Sequence, residues 1–274
     1  MNESSGAVRF FYNNVFGRVI LGLIMKLHLD RIAVIFLKSP LSRGFARRFI
    51  KKNHIDMTEW DGVAFSSYRD FFCRKREKQE FDSDPTSLIS PCDGYLLAYP
   101  IDENSAFSIK GSVYRISDLL QNEKEEKHFL GGTALVFRLC PTDYHHYMYI
   151  DSGFQRENRF IPGLLHSVQP IAMEKAPVFT LNRRSATIIE TENFGTVAQI
   201  EIGALVVGGI VNHRECCFVK KGEEKGYFDL CGSTIVCLFE KDKIVLLKEL
   251  GERAFSGLEV RVEIGKKIGN CLMG

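Results

Sequence analysis

The stretch "SATIIETENFGTVAQIEIG", residues 185–203, decides the architecture of this chain. Two runs rich in Ile, Val and Thr, which favour extended backbone, flank the four residues "ENFG" at 192–195. A short connection that ends in Gly is typical of a hairpin, because Gly accepts the left-handed backbone of a tight turn. The stretch therefore predicts two neighbouring antiparallel strands.

Similar strand patterns continue on both sides of this hairpin from residue 86 onward. They are "TALVFRLC" (133–140), "GTVAQIEIGALVVGGIV" (195–211), "STIVCLFE" (233–240) and "KIVLLKEL" (243–250). Two further stretches, "VKKGEEKG" (219–226) and "VEIGKKIG" (262–269), share the spacing V-x-x-G-x-x-x-G, and each is expected to join two strands. We predict an α+β fold that is mainly antiparallel β, with a pseudo-symmetric sandwich or barrel-like body.

Composition and charge limit the class of protein. The chain has 274 residues, 45% of them hydrophobic, which is enough for a large core. Ten Lys and Arg but only two Asp and Glu fall in residues 1–52, although the whole chain carries a formal charge of +2. The eight Cys form no C-x-x-C pair, and no signal peptide is visible, so we expect a reduced cytoplasmic protein without disulfides or structural zinc.

The basic N-terminal segment mixes apolar runs with evenly spaced Arg and Lys. Its longest uncharged apolar run, Val19 to Met25, is far shorter than the roughly 18 residues that cross a bilayer. The pattern predicts amphipathic helices lying at a membrane surface over residues 1–60, with a β-rich domain over 61–274. The alternative is a helical hairpin packed on the protein's own core, with Pro40 ending one element. Nucleic-acid binding is not expected, because Phe, Ile and Leu dilute the basic residues.

Three short stretches carry residues suited to chemistry: "SPCDG" (90–94), "DYHHYM" (143–148) and "CGST" (231–234). Each has a structural interpretation on its own, as a turn, a hydrogen-bonded His or the opening of a strand. His145 and His146 are neighbours on an extended segment, so they should point to opposite faces. Taken together, Asp, His and Ser are the members of a proton-relay triad, which a fold can assemble in any chain order.

These stretches carry a resemblance to a known family. "SPCDG", "IKGSVYRISDLL", "PTDYHHYMYIDSG", "IPGLLHSV", "IGALVVGGI", "KGEEKGYF" and "GSTIVCLFE", with the upstream "YRDFFCRK", resemble the phosphatidylserine decarboxylase proenzymes from about residue 60 to 245. The resemblance implies that Ser233 attacks the carbonyl of Gly232, that the peptide becomes an ester, and that β-elimination cuts the chain. The new N-terminus is then a pyruvoyl group, which forms a Schiff base with phosphatidylserine and releases CO2 to give phosphatidylethanolamine.

The same resemblance implies a setting. It suggests phosphatidylserine in an anionic membrane surface as the partner, a homodimer, and a peripheral location on the inner face of the cell membrane. Neither a metal nor a nucleic acid is expected. Gly232 has no Cβ, which suits a backbone that must bring a hydroxyl onto its own preceding carbonyl.

One residue departs from the family pattern D-Y-H-x-x-H. The resemblance assigns Asp93 as the acid of the self-cleavage triad and His145 as the first His, which acts around the substrate. The second His, the base of the triad, falls on Met148, and a thioether is no base at neutral pH. The sequence therefore suggests an uncleaved or maturation-deficient form. Three interpretations follow: an engineered substitution that traps the proenzyme, which we favour; a natural paralogue that no longer matures; or rescue by His146 or His166.

Two smaller departures are Cys231, where Gly or Leu is usual, and "NRR" at 182–184, where N-E-R is commoner. Two other functions remain in competition. A non-catalytic phospholipid-binding paralogue would keep the membrane helices and the headgroup pocket without maturing. A serine hydrolase using Ser233 is disfavoured by the absence of G-x-S-x-G and by the strand that follows Ser233.

Overall fold

The computed structural model describes residues 10, 14, 16–17, 30–104, 106–109, 112–163, 178–203, 209–230 and 233–272. Its α-helices are α1 (Asp30–Lys38), α2 (Arg43–Lys52), α3 (Tyr68–Phe72), α4 (Ile116–Leu120), α5 (Glu123–Glu126), α6 (Val178–Leu181) and α7 (Lys248–Phe255). Short 3-10 helices span Pro40–Ser42, Thr58–Trp60 and Lys127–Phe129.

Sixteen strands form the rest of the described architecture. They are β1 (Ser87–Ile89), β2 (Gly94–Pro100), β3 (Ala106–Ile109), β4 (Ser112–Arg115), β5 (Thr133–Leu139), β6 (His146–Met148), β7 (Gly153–Ile161), β8 (Arg184–Thr191), β9 (Thr196–Gly203), β10 (Gly209–Asn212), β11 (Cys217–Val219), β12 (Glu224–Asp229), β13 (Ser233–Phe239), β14 (Ile244–Leu246), β15 (Val260–Val262) and β16 (Lys267–Cys271). All paired strands are antiparallel, which confirms the predicted α+β class with an antiparallel body.

The hairpin predicted from the opening stretch is present and central. β8 and β9 pair along their length, and Thr191 N donates to Gly195 O at 3.0 Å to close the turn. Gly195 has φ +68°, the left-handed conformation for which the sequence supplies Gly. The hairpin lies inside an eight-stranded sheet of order β11-β7-β8-β9-β13-β5-β2-β15.

Two three-stranded sheets, β10-β12-β6 and β1-β16-β14, accompany the large sheet. The arrangement of β9 to β12 repeats in β13 to β16. In each run, the first strand lies inside the large sheet and the third lies at its edge. The second strand is an outer strand of a small sheet, and the fourth is the middle strand of that same small sheet. Each V-x-x-G-x-x-x-G stretch joins the last two strands of its run, so the predicted pseudo-symmetry is present. One half, 146–229, lies in the chain between the two parts of the other, 87–139 and 233–271.

The two related turns make matching hydrogen bonds. Gly222 N donates to Tyr149 O, and Gly265 N donates to Ser90 O, both at 2.9 Å. Both glycines have φ +78°, which a residue with a Cβ adopts only at a cost. The turns are therefore the structural reason for the repeated glycine spacing.

The large sheet is buried on both faces. Val136 and Val236 belong to a cluster covered by α4, α6 and the β3–β4 hairpin, whereas Phe137 and Ile235 belong to a cluster shared with the small sheets. Side chains along each strand point alternately to the two faces of the sheet, so one hydrophobic core forms on each face.

The N-terminal helices α1 and α2 pack on the body through a small apolar cluster. Val34 and Ala46 contribute to it together with Tyr68, Phe72 and Leu230. The predicted helical, amphipathic character of this segment is confirmed for residues 30–52, while residues 1–29 lie almost wholly outside the described part. Within the described ranges, no helix is both long and apolar enough to cross a membrane. The boundary at 60/61 stays a prediction.

The interpretation of "KIVLLKEL" (243–250) as one strand is wrong in its second half. The strand β14 ends at Leu246, and α7 begins at Lys248. Lys, Glu and Leu are good helix formers, and the helix buries Gly251 and Ala254 on one face. Similarly, "GTVAQIEIGALVVGGIV" contains two strands, β9 and β10, with 204–208 outside the described residues.

Candidate active site

The described parts of the stretches that carry chemistry lie at one end of the large sheet. Because neighbouring strands are antiparallel, β2 begins where β5 ends and where β13 begins. Ser233 pairs with Leu139 of β5 on one side and with Gly203 of β9 on the other. Gly94 adjoins the same end of β5, since a Cβ built on it would lie 2.6 Å from Arg138 O. Asp93 and Ser233 therefore flank β5, two strand spacings or about 10 Å apart in backbone position.

Asp93 holds a turn with one of its carboxylate oxygens. Its Oδ1 accepts a 2.8 Å hydrogen bond from Ile264 N, and its side chain is almost fully buried. Oδ2 faces Arg76 Nη2 at 4.0 Å. In the related half, Ser152 Oγ accepts from Lys221 N at 3.1 Å, which is the equivalent bond. Asp93 Oδ1 therefore holds its turn in the same way as Ser152 Oγ holds the equivalent turn of the other half. The second oxygen, Oδ2, remains for electrostatic interaction with Arg76.

The loop after β5 is held by Asp143. Its Oδ2 accepts from Cys140 N at 2.7 Å, and its Oδ1 accepts from Arg261 at 2.8 Å. Burial raises the pKa of Asp143, although these hydrogen bonds and the Arg261 charge oppose the change. The loop is consequently anchored to the site end of β5 before it reaches the two histidines.

His145 is buried with one ring nitrogen engaged. Its Nδ1 donates to Asp143 O at 2.9 Å, and its ring lies against that of Phe72, with centroids 3.9 Å apart and ring planes tilted by 33°. A carbonyl can only accept, so the neutral ring carries its hydrogen on Nδ1 and a lone pair on Nε2. Nε2 has no hydrogen-bond partner among the described residues. Burial, and then the Arg74 charge, lower the pKa of His145 to about 3.

His146 has one ring nitrogen hydrogen-bonded, and its buried Nδ1 lies near the Glu224 carboxylate without a well-formed hydrogen bond. Nε2 donates to Cys73 O at 3.1 Å, and Nδ1 lies 3.3 Å from Glu224 Oε1. The ring is stacked between Tyr144 and Tyr227. Burial raises the pKa of Glu224, but hydrogen bonds from His146 and other neighbours outweigh it and bring the pKa to about 2. The expectation that the two side chains point to opposite faces of a strand stays a prediction, since β6 begins only at His146.

Met148 lies in the apolar core, and only 1% of it is exposed. Its backbone N donates to Pro91 O at 2.9 Å, two residues before Asp93. The equivalent position in the other half is Ile89, which is also fully buried. An apolar residue at 148 therefore suits the packing of both halves, and it brings no base to the site.

The bond Gly232–Ser233 lies at the edge of what the structure describes. Gly232 and Cys231 fall outside the described residues, as does His166. The backbone of Ser233 begins β13, and Leu230 just before the gap is buried with φ +54°. The "NRR" stretch at 182–184, which departs from the family pattern, lies near the same end of the large sheet as Ser233. Arg184 begins β8 there and pairs with Ile202 of β9.

Arg74 is a buried cation that the sequence analysis did not single out, although it lies in the quoted "YRDFFCRK". Its guanidinium carbon lies 4.9 Å from the ring centroid of Trp60 and 4.7 Å from that of Phe71. Nη2 is 3.4 Å from Asp143 O, the oxygen that His145 also uses, and Nε has no partner among the described atoms. Burial lowers the pKa of Arg74.

A fully buried ion pair was also missed. Lys225 Nζ lies 2.8 Å from Glu201 Oε1 and 3.1 Å from Asn212 Oδ1, and both charged side chains are 0% exposed. Tyr147 OH donates to the same Asn212 oxygen at 3.0 Å. The sequence did carry a sign of this pair: Glu201 lies inside the apolar stretch "VAQIEIG", and Lys225 directly precedes "GYF". An ionisable residue in a buried strand needs a partner, so both residues could have been predicted to be paired.

Metal ligands do not assemble in the part of the chain that the structure covers: no group of three His, Cys, Asp or Glu could hold an ion there. The described site thus offers a free imidazole nitrogen, a carboxylate, a buried guanidinium and a Ser at a strand start. This set can move a proton and bind an anion.

Comparison with known proteins agrees with the motifs. A family model described as phosphatidylserine decarboxylase matches residues 68–270. The chain is 40% identical to a phosphatidylserine decarboxylase proenzyme 2 of Clostridium acetobutylicum, over 97% of this chain and 92% of that protein. It is 38% identical to a phosphatidylserine decarboxylase proenzyme of Ruminiclostridium cellulolyticum, over 93% and 88%. A proenzyme of the same name from Clostridium novyi is 42% identical over 76% and 72%.

Proposed function

Because the chain belongs to the phosphatidylserine decarboxylase family, we propose that it is the proenzyme of a carboxy-lyase that converts phosphatidylserine to phosphatidylethanolamine and CO2. The observation that carries the proposal is the strand register: Asp93, the loop with His145, and Ser233 come to one end of one sheet from three distant parts of the chain. We propose that self-cleavage takes place at this end of the sheet, where Met148 stands in the position that the family pattern gives to the base.

The proposed cofactor is a pyruvoyl group made from Ser233 after cleavage at Gly232–Ser233. The described residues fit such a group, since several buried polar atoms near this end of the sheet lack hydrogen-bond partners among the described residues, among them His145 Nε2 and Arg74 Nε. Once formed, the group would supply a carbonyl that accepts the substrate amine and withdraws electrons as CO2 leaves. Ser233 is held at the start of β13 between two strands, which would fix the position of the carbonyl.

Arg74 would act on the substrate's own charges. A buried guanidinium without a carboxylate partner in the described ranges can bind the substrate carboxylate or phosphate. Arg74 is itself buried, and a charge interaction is stronger in a buried site than in water.

We propose that Met148 leaves the proenzyme uncleaved or slow to mature. Loss of the base of a triad costs several powers of ten in rate in serine proteases. Packing gives no reason against Met at this position, as the equivalent Ile89 shows. A Met148→His variant should therefore mature faster than the unchanged chain.

The membrane surface is the proposed location, on the inner face of the cell membrane. α1, the 3-10 helix Pro40–Ser42 and α2 expose Ile35, Leu41 and Phe45, respectively, beside Arg43 and Arg47 of α2. These helices share an apolar cluster with Leu230, so they also lie next to the site. Homodimer formation stays a prediction.

Vesicle sedimentation tests the location. Arg43→Gln with Arg47→Gln should weaken binding to phosphatidylserine vesicles about 30-fold, because each charge contributes about 1 kcal/mol. Lys241→Gln with Lys243→Gln, at the turn between β13 and β14, is the matched control and should change nothing. Equal binding by both double variants would contradict the proposal.

Intact mass of the purified full chain tests the function. Met148→His should yield fragments 1–232 and 233–274, the second with a blocked N-terminus that reacts with a hydrazine reagent, and it should release CO2 from phosphatidylserine vesicles. Adding Ser233→Ala should abolish both. Cleavage without a carbonyl, or CO2 release that survives Ser233→Ala, would refute the proposal.

A non-catalytic phospholipid-binding protein is the second candidate, and Met148 is the observation that favours it. Such a protein would bind the same vesicles through α1 and α2. It would stay uncut even as the Met148→His variant, which separates it from a decarboxylase whose maturation is only slow.

A further inference from the structure

We propose that two copies of this chain join through the free edge of β11, so that their large sheets continue into one another across a two-fold axis at Phe218. The partner is therefore a second copy of the chain. This interface is independent of the proposed function, because β11 carries no residue of the candidate active site.

The backbone of β11 has a free side. β11 is an edge strand of the large sheet, and no strand in the described ranges pairs with its outer side. Ser152 O accepts from Glu192 N, on the β8 side of β7. Backbone direction alternates along a strand, so the next residue, Gly153, faces β11, and its partner Val219 faces β7. One residue before Val219, the N–H and C=O groups of Phe218 therefore point away from the sheet.

The side chain of Phe218 is also open to water, since 79% of it is exposed. Its ring meets that of Phe154 edge-on, with centroids 5.3 Å apart. Cys217 and Val219, on either side of it, pack on the other face of the sheet against Tyr149. An open edge strand with an exposed aromatic side chain is a ready site for pairing with another strand, and most proteins protect such edges.

The equivalent edge in the other half of the molecule is protected. The V-x-x-G-x-x-x-G spacing makes Arg261 of β15 the equivalent of Phe218, and Arg261 forms an ion pair with Asp143 at 2.8 Å. α7 lies in the connection before β15 and packs against that strand. The corresponding connection before β11, residues 213–216, contains no helix. The same position is thus charged and supported in one half and apolar and open in the other.

The charges beside β11 favour antiparallel pairing with a second copy. Glu215 lies three residues before Phe218, and Lys220 lies two residues after it; both are exposed. A two-fold axis at Phe218 brings the beginning of one β11 against the end of the other, so Glu215 of each copy comes near Lys220 of the other copy. The neighbouring Arg214 is already paired with Glu223 of its own chain, at 2.7 Å. Parallel pairing would instead bring like charges together.

Pairing about this axis would use the groups that the edge leaves free. The N–H and C=O groups of Phe218 would exchange two hydrogen bonds with those of Phe218 in the second copy. The two Phe218 rings, together with the two Phe154 rings, would form a cluster of four aromatic rings. Burial of such rings is a large favourable contribution to an interface.

The place of β11 in the fold favours a protein partner over the membrane. β11 pairs with the end of β7 that adjoins Thr191 of β8, whereas Arg184 at the other end of β8 lies near Ser233. These two ends are seven residues, or about 23 Å, apart. α1 and α2, the helices proposed to contact the membrane, pack around Leu230, three residues before Ser233. The edge of β11 is therefore at the opposite end of the sheet.

Sedimentation velocity of the full chain at several concentrations tests the interface. Ser233→Ala is the background, so that every chain stays uncut, and a non-ionic detergent keeps the apolar helices apart. This chain should form a dimer, and Phe218→Asp should raise the dissociation constant of the dimer at least 30-fold, because it removes two rings and places two like charges on the axis. Val245→Asp, at a 45% exposed position of the outer strand β14, is the matched control and should leave the constant unchanged.

Charge reversal at the two ends of β11 tests the antiparallel arrangement. Glu215→Lys and Lys220→Glu should each raise the dissociation constant about 5-fold or more, because each creates two like-charge contacts across the axis. The chain with both reversals has opposite charges at both contacts again, so its constant should return to within about 2-fold of the background value. Thermal unfolding of each variant checks that it is folded.

The possible results decide the inference without reference to cleavage. A background chain that stays monomeric overturns it, and so does a dimer that Phe218→Asp weakens no more than Val245→Asp does. A double charge variant that dissociates as readily as the single ones also overturns it, because the two ends then do not meet. Whether Met148→His is cut bears only on the proposed function.

Discussion

Replacing Lys225 by Met while Glu201 remains should lower the free energy of unfolding by about 3 to 5 kcal/mol. Both side chains are 0% exposed, and the Nζ–Oε1 distance is 2.8 Å. At an effective dielectric constant of about 20, the Coulomb attraction at this distance is about 6 kcal/mol. Desolvation offsets much of this gain in the intact pair, but the single variant leaves a buried carboxylate whose remaining donor, among the residues the structure describes, is Asn212. Its cost therefore approaches that of an unpaired buried charge.

The double variant Lys225→Met, Glu201→Gln tests the reasoning. Removing both charges removes the unpaired group, so the double variant should cost about 0 to 2 kcal/mol, less than Lys225→Met alone. Lys75→Met is the matched control, because Lys75 pairs with Glu224 at 3.2 Å while its side chain is 66% exposed. An exposed pair contributes less than about 1 kcal/mol.

Urea unfolding, followed by circular dichroism, measures these differences. The Ser233→Ala background keeps every chain uncut, so the variants are compared as single polypeptides. A Lys225→Met cost no larger than that of Lys75→Met, or a double variant as unstable as the sum of the single ones, would refute this account of the pair.

Two further predictions concern acid stability and the repeated turns. Because the folded pKa of His145 is lowered to about 3 from its ordinary 6.5, the unfolded chain takes the proton first, and stability falls as pH drops. Protonation of this group should lower the free energy of unfolding by about 2 kcal/mol between pH 7.5 and pH 5. The urea midpoint of the Ser233→Ala variant should fall accordingly over this pH range, and it should fall much less when His145→Gln is added. If the midpoint falls equally in both variants, the prediction is wrong. Gly257→Ala, at φ +81° with open space around it, should cost about 1 to 2 kcal/mol. Gly265→Ala should cost about 1 to 3 kcal/mol more in thermal unfolding, because its Cβ would overlap Glu80 O; equal losses would show that the close approach does not matter.

The sequence was sufficient for the local features. Alternating β-branched runs and "ENFG" predicted the β8–β9 hairpin, because strand propensity and left-handed Gly are properties of a few adjacent residues. The V-x-x-G-x-x-x-G spacing likewise predicted a pseudo-symmetric body. "KIVLLKEL" was misread at Lys248–Leu250, since a short apolar run has no period that separates strand from helix.

The site was only partly within reach of the sequence. Its motifs marked Asp93, His145 and Ser233, but nothing local indicates that Arg74 meets the loop at Asp143 or that Glu201 meets Lys225. These contacts depend on the pairing of strands far apart in the chain. The tautomer of His145 also depends on a carbonyl contact that only coordinates reveal.

The nested order of the two halves has a consequence for the matured protein. The chain passes from one half to the other twice, at 140–145 and at 230–232. A cut between 232 and 233 would break the second connection and leave the first intact. The liberated piece would keep β13 wedged between β5 and β9, β15 along β2, and β16 between β1 and β14. We expect the two polypeptides to stay interwoven, so that separating them requires melting the whole sheet.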